Sequence, residues 1–121
     1  DLRKKFALNY KKLINKDEAE IKIPFTNFIG DKFSYHLFPI LLPDNLKRDN
    51  LIEFLSKKGI QTSIHYKPIH RLKFYERHNF KLKNLDKISK FILSLPIYPD
   101  LSFLDQIYVI KAIKEYLKYK K

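Results

Sequence analysis

Only two glycines, Gly30 and Gly59, serve the 121 residues. Loops that wrap a phosphate or a dinucleotide need several glycines close together. Their backbone takes left-handed angles and approaches the ligand with no Cβ in the way. A P-loop, a dinucleotide-binding glycine loop and a kinase-type loop are therefore excluded. The G-x-S-x-G elbow of the hydrolases is missing too. Gly59 has another use. It follows Leu51, Ile52, Phe54 and Leu55, one apolar face, and reads as the stop of a helix.

Periodicity supplies the other elements. Leu2, Phe6, Tyr10 and Leu13 recur at helical spacing, with Arg3, Lys4, Lys5, Lys11 and Lys12 on the solvated side. Ile21, Ile23 and Phe25 alternate as a short strand ended near Pro24. Residues 27–32, with Gly30, read as a loop. Ser34 to Leu42 reads as a buried strand, in which Pro39 removes one ladder donor and asks for a bulge or an edge. Pro43, Asp44 and Asn45 turn the chain into the helix that Gly59 ends. Ile60 to Tyr66 reads as another strand, apolar at Ile60, Ile64 and Tyr66 and polar at Gln61, Ser63 and His65. Asn84 is placed to cap a helix with Leu85, Ile88, Ile92 and Leu95 as its buried stripe, stopped by Pro96 and Pro99. Ser102 and Asp105 make a capping-box-like start for the last helix. Phe103, Ile107, Ile110 and Leu117 are its inward side, and the tail from Lys118 to Lys121 is expected to fray. The order predicts an α+β fold: a small, mainly antiparallel sheet with helices on one face.

The formal net charge is +12. A polyanionic partner is one explanation. Codon bias is the other, because four arginines stand against 21 lysines and Ile, Asn, Phe and Tyr are plentiful. Arginine is the better residue for planar phosphate and base recognition, so nucleic acid is not the expected partner. Phe74, Tyr75 and Phe80 do interleave with Lys73, Arg77 and Lys81. A free-standing basic binding module for nucleic acid or acidic glycan is thus the alternative reading. No cysteine is present, which rules out disulfides and Cys-ligated metal and fits a reducing compartment; the cytoplasm is the expected location. No apolar run reaches membrane-spanning length, and no membrane partner is expected. Methionine is absent too, so the chain is expected to be a piece of a larger protein.

The histidines are His36, His65, His70 and His78. His65 and His70 flank Pro68 in H-Y-K-P-I-H, residues 65–70. A zinc site would need three or four converging ligands, and no acidic residue adjoins either histidine in the sequence. No metal is expected. Pro68 fixes the exit of the chain and so places His70 and Arg71 at less entropic cost than a free loop. Imidazole, phenol and guanidinium groups together suit a polar, anionic ligand. Periodicity leaves two readings of His65 and Tyr66 open: a binding pair at a strand end, or satisfied structural residues under a loop.

Four motifs now stand in order: S-Y-H-L-F-P-I at 34–40, R-D-N-L-I-E-F-L-S-K-K-G-I at 48–60, H-Y-K-P-I-H at 65–70 and I-L-S-L-P-I-Y-P-D-L-S at 92–102. Together they resemble the C-terminal domain of the pyridoxal-phosphate-dependent nucleotide-sugar aminotransferases, the DegT/StrS group. R-K-K-F-A-L-N-Y-K-K-L resembles the long helix that leads into that domain. The resemblance implies the C-terminal small domain of a fold-type I aminotransferase. Residues 1–20 would end the helix that links it to a large PLP-binding domain, and residues 21–121 would be the small domain. The parent enzyme would move an amino group from an amino acid, glutamate being the expected donor, to a keto-sugar on a nucleoside diphosphate. It would work as a homodimer in polysaccharide or glycan biosynthesis.

The family's Schiff-base lysine, its carboxylate facing the pyridine nitrogen and its main phosphate cradle lie in the large domain, and none of their motifs is found here. No catalytic residue is therefore assigned to this chain. The piece alone is expected to be inactive and to hold no PLP, which belongs to the full-length parent. What the resemblance carries over is the H-Y-x-P-x-H turn at the active-site mouth. It implies His65 and Tyr66 on the sugar or cofactor side and His70 with Arg71 on the outer, phosphate-rich side. Tyr35 reads as structural and His36 as a further site candidate.

Overall fold

The computed structural model describes residues 2–15, 20–24, 33–77 and 80–119. The expected strand end at Phe25, the loop at 27–32, His78 and the last two residues lie outside them. The elements in chain order are α1 (Leu2–Asn15), β1 (Phe38–Leu41), α2 (Arg48–Lys57), a 3-10 turn (Ile69–Arg71), α3 (Lys73–Glu76), α4 (Lys83–Phe91), β2 (Ile92–Leu95) and α5 (Phe103–Tyr119).

β1 and β2 pair antiparallel, Phe38 opposite Leu95 and Leu41 opposite Ile92. Alternation places Phe38, Ile40, Leu93 and Leu95 on one face, and all four are buried. Tyr10 of α1 meets this face, its ring 5.0 Å from that of Phe38. Its hydroxyl donates to the Pro96 carbonyl at 3.0 Å. The same core takes in Leu51 and Leu55 of α2 and Val109, Ile110, Ile113 and Tyr116 of α5. Each such side chain contributes roughly 1.5–3 kcal/mol when fully buried. Gln106 of α5 is fully buried as well. It donates Nε2 to the Phe6 carbonyl at 2.8 Å and accepts from Asn9 Nδ2 at 3.1 Å, which ties α5 to α1.

The sheet is narrower in ladder length than the apolar runs suggest. Lys22 pairs with Leu41 across one edge, and Ser63 pairs with Ser94 across the other. Among the described residues, the strand expected at 21–25 is a single rung at Lys22, that at 60–66 a single rung at Ser63, and that at 34–42 shrinks to four residues. β2 sets this limit: it is four residues long, begins where α4 ends and is closed by Pro96. Pro39 sits as expected. Leu41 turns its N–H and C=O outward to Lys22. Pro39, two residues earlier, therefore turns its missing N–H to that same outer edge.

The largest correction concerns residues 92–95. Ile92 and Leu95 were expected on a helical stripe, yet α4 stops at Phe91 and both belong to β2. The spacing of Leu85, Ile88, Ile92 and Leu95 fits a helix, while Leu93 and Leu95 alternate as a strand does. β1 decides between them by offering a ladder, and the Leu42 N–H caps the change by donating to the Phe91 carbonyl at 3.0 Å. Leu85 and Ile88 are exposed rather than buried, and α4 carries no side-chain cap from Asn84.

Local punctuation was legible. Gly59 has φ +73°. The Ile60 N–H donates to the Leu55 carbonyl and the Gly59 N–H to that of Ser56, a Schellman ending. At α5 the Ser102 N–H donates to Asp105 Oδ2 and the Asp105 N–H to Ser102 Oγ, both at 3.0 Å. Hydrogen bonds to the carboxyl from the Ser102 side chain and then from the Ser102 N–H hold Asp105 below its usual range. Phe103 is exposed, not inward, and Lys118 and Tyr119 continue the helix.

Candidate functional site

After its rung with Ser94, the chain leaves the sheet and runs into the H-Y-K-P-I-H-R turn. His65 Nδ1 lies 3.3 Å from Ser63 Oγ and 3.3 Å from Ser94 Oγ. Ser94 is buried on β2. The two hydroxyls therefore tether the imidazole through one nitrogen, Nδ1. Tyr66 packs edge-on against His65, centroids 5.2 Å apart, and is itself 76% exposed.

His70 and Arg71 form a second group around Asp86 of α4. His70 is buried and places Nε2 2.9 Å from Asp86 Oδ1. A carboxylate only accepts, so Nε2 carries the hydrogen. Arg71 donates Nε to Oδ1 at 2.9 Å and Nη2 to Oδ2 at 2.8 Å, a two-pronged pair. The Arg71 bonds, and after them the His70 bond, lower the Asp86 carboxyl from its ordinary 3.8 to about 2. The sequence showed no acid beside His70; the fold supplies one from 16 residues away. His70 thus faces a carboxylate on this chain, and its buried Nδ1 has no hydrogen-bond partner among the described residues.

His36 is exposed and lies beyond the Phe38–Leu95 end of the ladder. It stands apart from both groups. Tyr35 packs at the edge of the core. Among the described residues, no set of three or more His, Asp and Glu side chains could hold a metal ion.

Sequence reasoning missed Ser94 and Asp86. Ser94 was hidden by reading 92–95 as helix. Read as a strand, its alternation with Leu93 and Leu95 would have turned it to the face away from the core. Asp86 had no local signal, because its partners lie 15 and 16 residues earlier.

A pyridoxal phosphate site needs a buried or cation-flanked lysine and a carboxylate for the ring nitrogen. Lys114 on α5 is held below the usual lysine range by partial burial and by Lys118. A groove of about 670 Å³ is lined by Leu8, Asn9, Lys11, Lys12, Leu13, Asn15 and Phe103. Two smaller ones are lined by residues of 81–85 and of 52–62. None of the three brings a lysine and a carboxylate together. These three grooves do not by themselves fit the cofactor.

Comparison with known proteins places this fold. Residues 1–114 match the DegT/DnrJ/EryC1/StrS aminotransferase family, and the chain belongs to that family. A pleiotropic regulatory protein of Geobacillus stearothermophilus is 30% identical over an alignment of 121 positions, which covers 97% of this chain and 32% of that protein. Helicobacter pylori PseC, an aminotransferase involved in the biosynthesis of pseudoaminic acid, superposes with TM-score 0.83 at 25% identity. The match covers 97% of this chain and 32% of that one. The aminotransferase TlmJ of Streptoalloteichus hindustanus shares the fold, with TM-score 0.85 at 23% identity over 98% of this chain and 32% of that one. The chain therefore spans about a third of the relatives it matches. No helix among the described residues is long and apolar enough to cross a membrane.

Proposed function

We propose that this chain is the C-terminal small domain of a PLP-dependent sugar aminotransferase. Residues 1–20 end the helix that joins it to a large cofactor-binding domain. The family match along 1–114 is the observation that carries the proposal. The fragment-length superposition on PseC is consistent with it. The parent takes an amino group from an amino acid, glutamate first among candidates, and gives it to a keto-sugar on a nucleoside diphosphate. The product enters polysaccharide or glycan synthesis in the cytoplasm. When bound, PLP supplies the carbonyl that receives and releases the amino group.

This chain contributes a wall of the cleft. His65 is held by Ser63 and Ser94, so its other ring nitrogen meets a polar substrate at little entropic cost. Tyr66 lies exposed beside it, and His36 is a more distant candidate on the same lobe. Arg71 lies on the outer, phosphate-facing side of the turn, with Asp86 balancing part of its charge, and the buried His70 holds the same carboxylate. Exposed apolar side chains continue from there: Tyr66, Ile69, Phe74, Phe80, Leu85 and Ile88. A monomer seldom leaves so many on one stretch uncovered. The large domain and the second subunit of a homodimer cover them in the parent.

The test is His65→Ala in the full-length enzyme. The Michaelis constant for the keto-sugar is expected to rise, or turnover to fall, about tenfold, the loss expected for a hydrogen bond to a charged group. Unchanged kinetics would remove His65 from the site.

A further inference from the structure

We propose that Asp86 is a positioning residue for the substrate-side turn, a latch that fastens residues 65–71 to α4. The inference rests on the reading of that turn as cleft wall. Asp86 touches neither His65 nor Tyr66. It holds the other end of the turn, where Pro68, Ile69 and Arg71 form one tight 3-10 coil: the Arg71 N–H donates to the Pro68 carbonyl at 2.9 Å and the Leu72 N–H to that of Ile69 at 3.0 Å.

The turn needs such a hold. Ser63–Ser94 fastens its beginning, but Ile69, Leu72 and Phe74 are exposed and give the far end little apolar burial. There the charged bonds of His70 and Arg71 to one carboxylate replace a core. α4 is anchored in turn. Arg48 at the start of α2 donates Nη1 to the Ser89 carbonyl at 2.6 Å and the Ile92 carbonyl at 3.5 Å. Ser89 Oγ donates to the Asp86 carbonyl at 3.0 Å. The chain of contacts runs from α2 through α4 to the turn. It leaves His65 and Tyr66 between two fixed points, the Ser94 rung and the Asp86 pair.

The test uses the full-length protein with Asp86→Asn and Asp86→Glu. Asparagine keeps the size but loses the charge and turns an N–H toward donors; glutamate keeps the carboxylate. Amide hydrogen exchange at Arg71, Leu72 and Tyr75 reads the latch, and exchange at Leu93 and Ile113 reads the core. In Asp86→Asn the turn amides are expected to exchange about tenfold faster or more, the loss set by charge-assisted bonds, with the core amides unchanged. In Asp86→Glu most of that protection returns. UDP and dTDP, each alone, probe the cleft by calorimetry. The tighter of the two is expected to bind several-fold more weakly to Asp86→Asn and near wild-type strength to Asp86→Glu.

Unchanged turn exchange in Asp86→Asn overturns the latch. Loss of protection at Leu93 and Ile113 along with the turn overturns it too, by showing a residue that holds the whole domain. Faster turn exchange with unchanged nucleotide affinity overturns the positioning role. Arg71→Ala, on the phosphate-facing side of the turn, then locates the failure. If it weakens nucleotide binding, the cleft reading stands and only Asp86 is misassigned. If it does not, or if neither nucleotide binds the wild type, the cleft reading itself has failed.

Discussion

Ser63 and Ser94 exchange both backbone hydrogen bonds, at 3.2 and 2.8 Å, and seat the start of the proline turn on the edge of β2. Two residues on, His65 returns to the same Ser94 through its side chain. One buried serine thus fixes both the backbone and the imidazole.

Ser94→Ala separates those two roles. The backbone rung survives, and His65 Nδ1 loses one partner. The expected cost is about 1 kcal/mol, the usual worth of a single hydrogen bond. Urea denaturation of wild type and variant measures it. A cost near zero would mean that the 3.3 Å contact contributes nothing to stability.

The Asp86 pair predicts an acid limb in the stability curve. The folded carboxyl sits at about 2, below its ordinary 3.8. Between these values the unfolded chain binds more protons, so stability rises with pH across the window. The contribution is complete above about pH 4 and is lost as pH falls toward 2. Thermal midpoints taken from pH 2 to 5 should drop more for wild type than for Asp86→Asn, which lacks the titrating group.

Gly59→Ala isolates a backbone cost. A Cβ at Gly59 would meet nothing within 4 Å, so no clash contributes. The left-handed φ of +73° alone costs roughly 1–2 kcal/mol for a residue with a side chain. Gly59→Asn should cost less, because asparagine tolerates that region. Paired denaturation curves check the order Gly, Asn, Ala.

Tyr10→Phe removes one bond from the core. Burial pushes the Tyr10 phenol well above its ordinary pKa, and its hydroxyl serves the Pro96 carbonyl. Losing it is expected to cost about 1 kcal/mol. Spectroscopic titration should show the phenol of the wild type staying protonated to a higher pH than the exposed tyrosines do.

Elements governed by nearby residues could be read from the sequence. The α1 face at Phe6 and Tyr10, the Gly59 stop and the Ser102–Asp105 cap each depend on neighbours within four positions. What depended on distant partners could not. Leu85, Ile88, Ile92 and Leu95 satisfy a helical period, and only the β1 ladder, some fifty residues earlier, turns the last two into strand. Leu2 and Phe103 fit inward faces by spacing but lie exposed at the ends of their helices. For the site, Pro68 marked the turn and gathered His65, Tyr66, His70 and Arg71 by proximity alone. Its division into a serine-tethered pair and an Asp86-bound pair is a tertiary fact, and no local pattern encodes it.

The most direct test of the account is the visible spectrum of the full-length protein loaded with pyridoxal phosphate, followed as L-glutamate is added. The account predicts that the absorption band of the bound cofactor is lost and that 2-oxoglutarate appears in equal amount. A protein that takes up no cofactor, or a band that L-glutamate leaves unchanged with no 2-oxoglutarate formed, would contradict it.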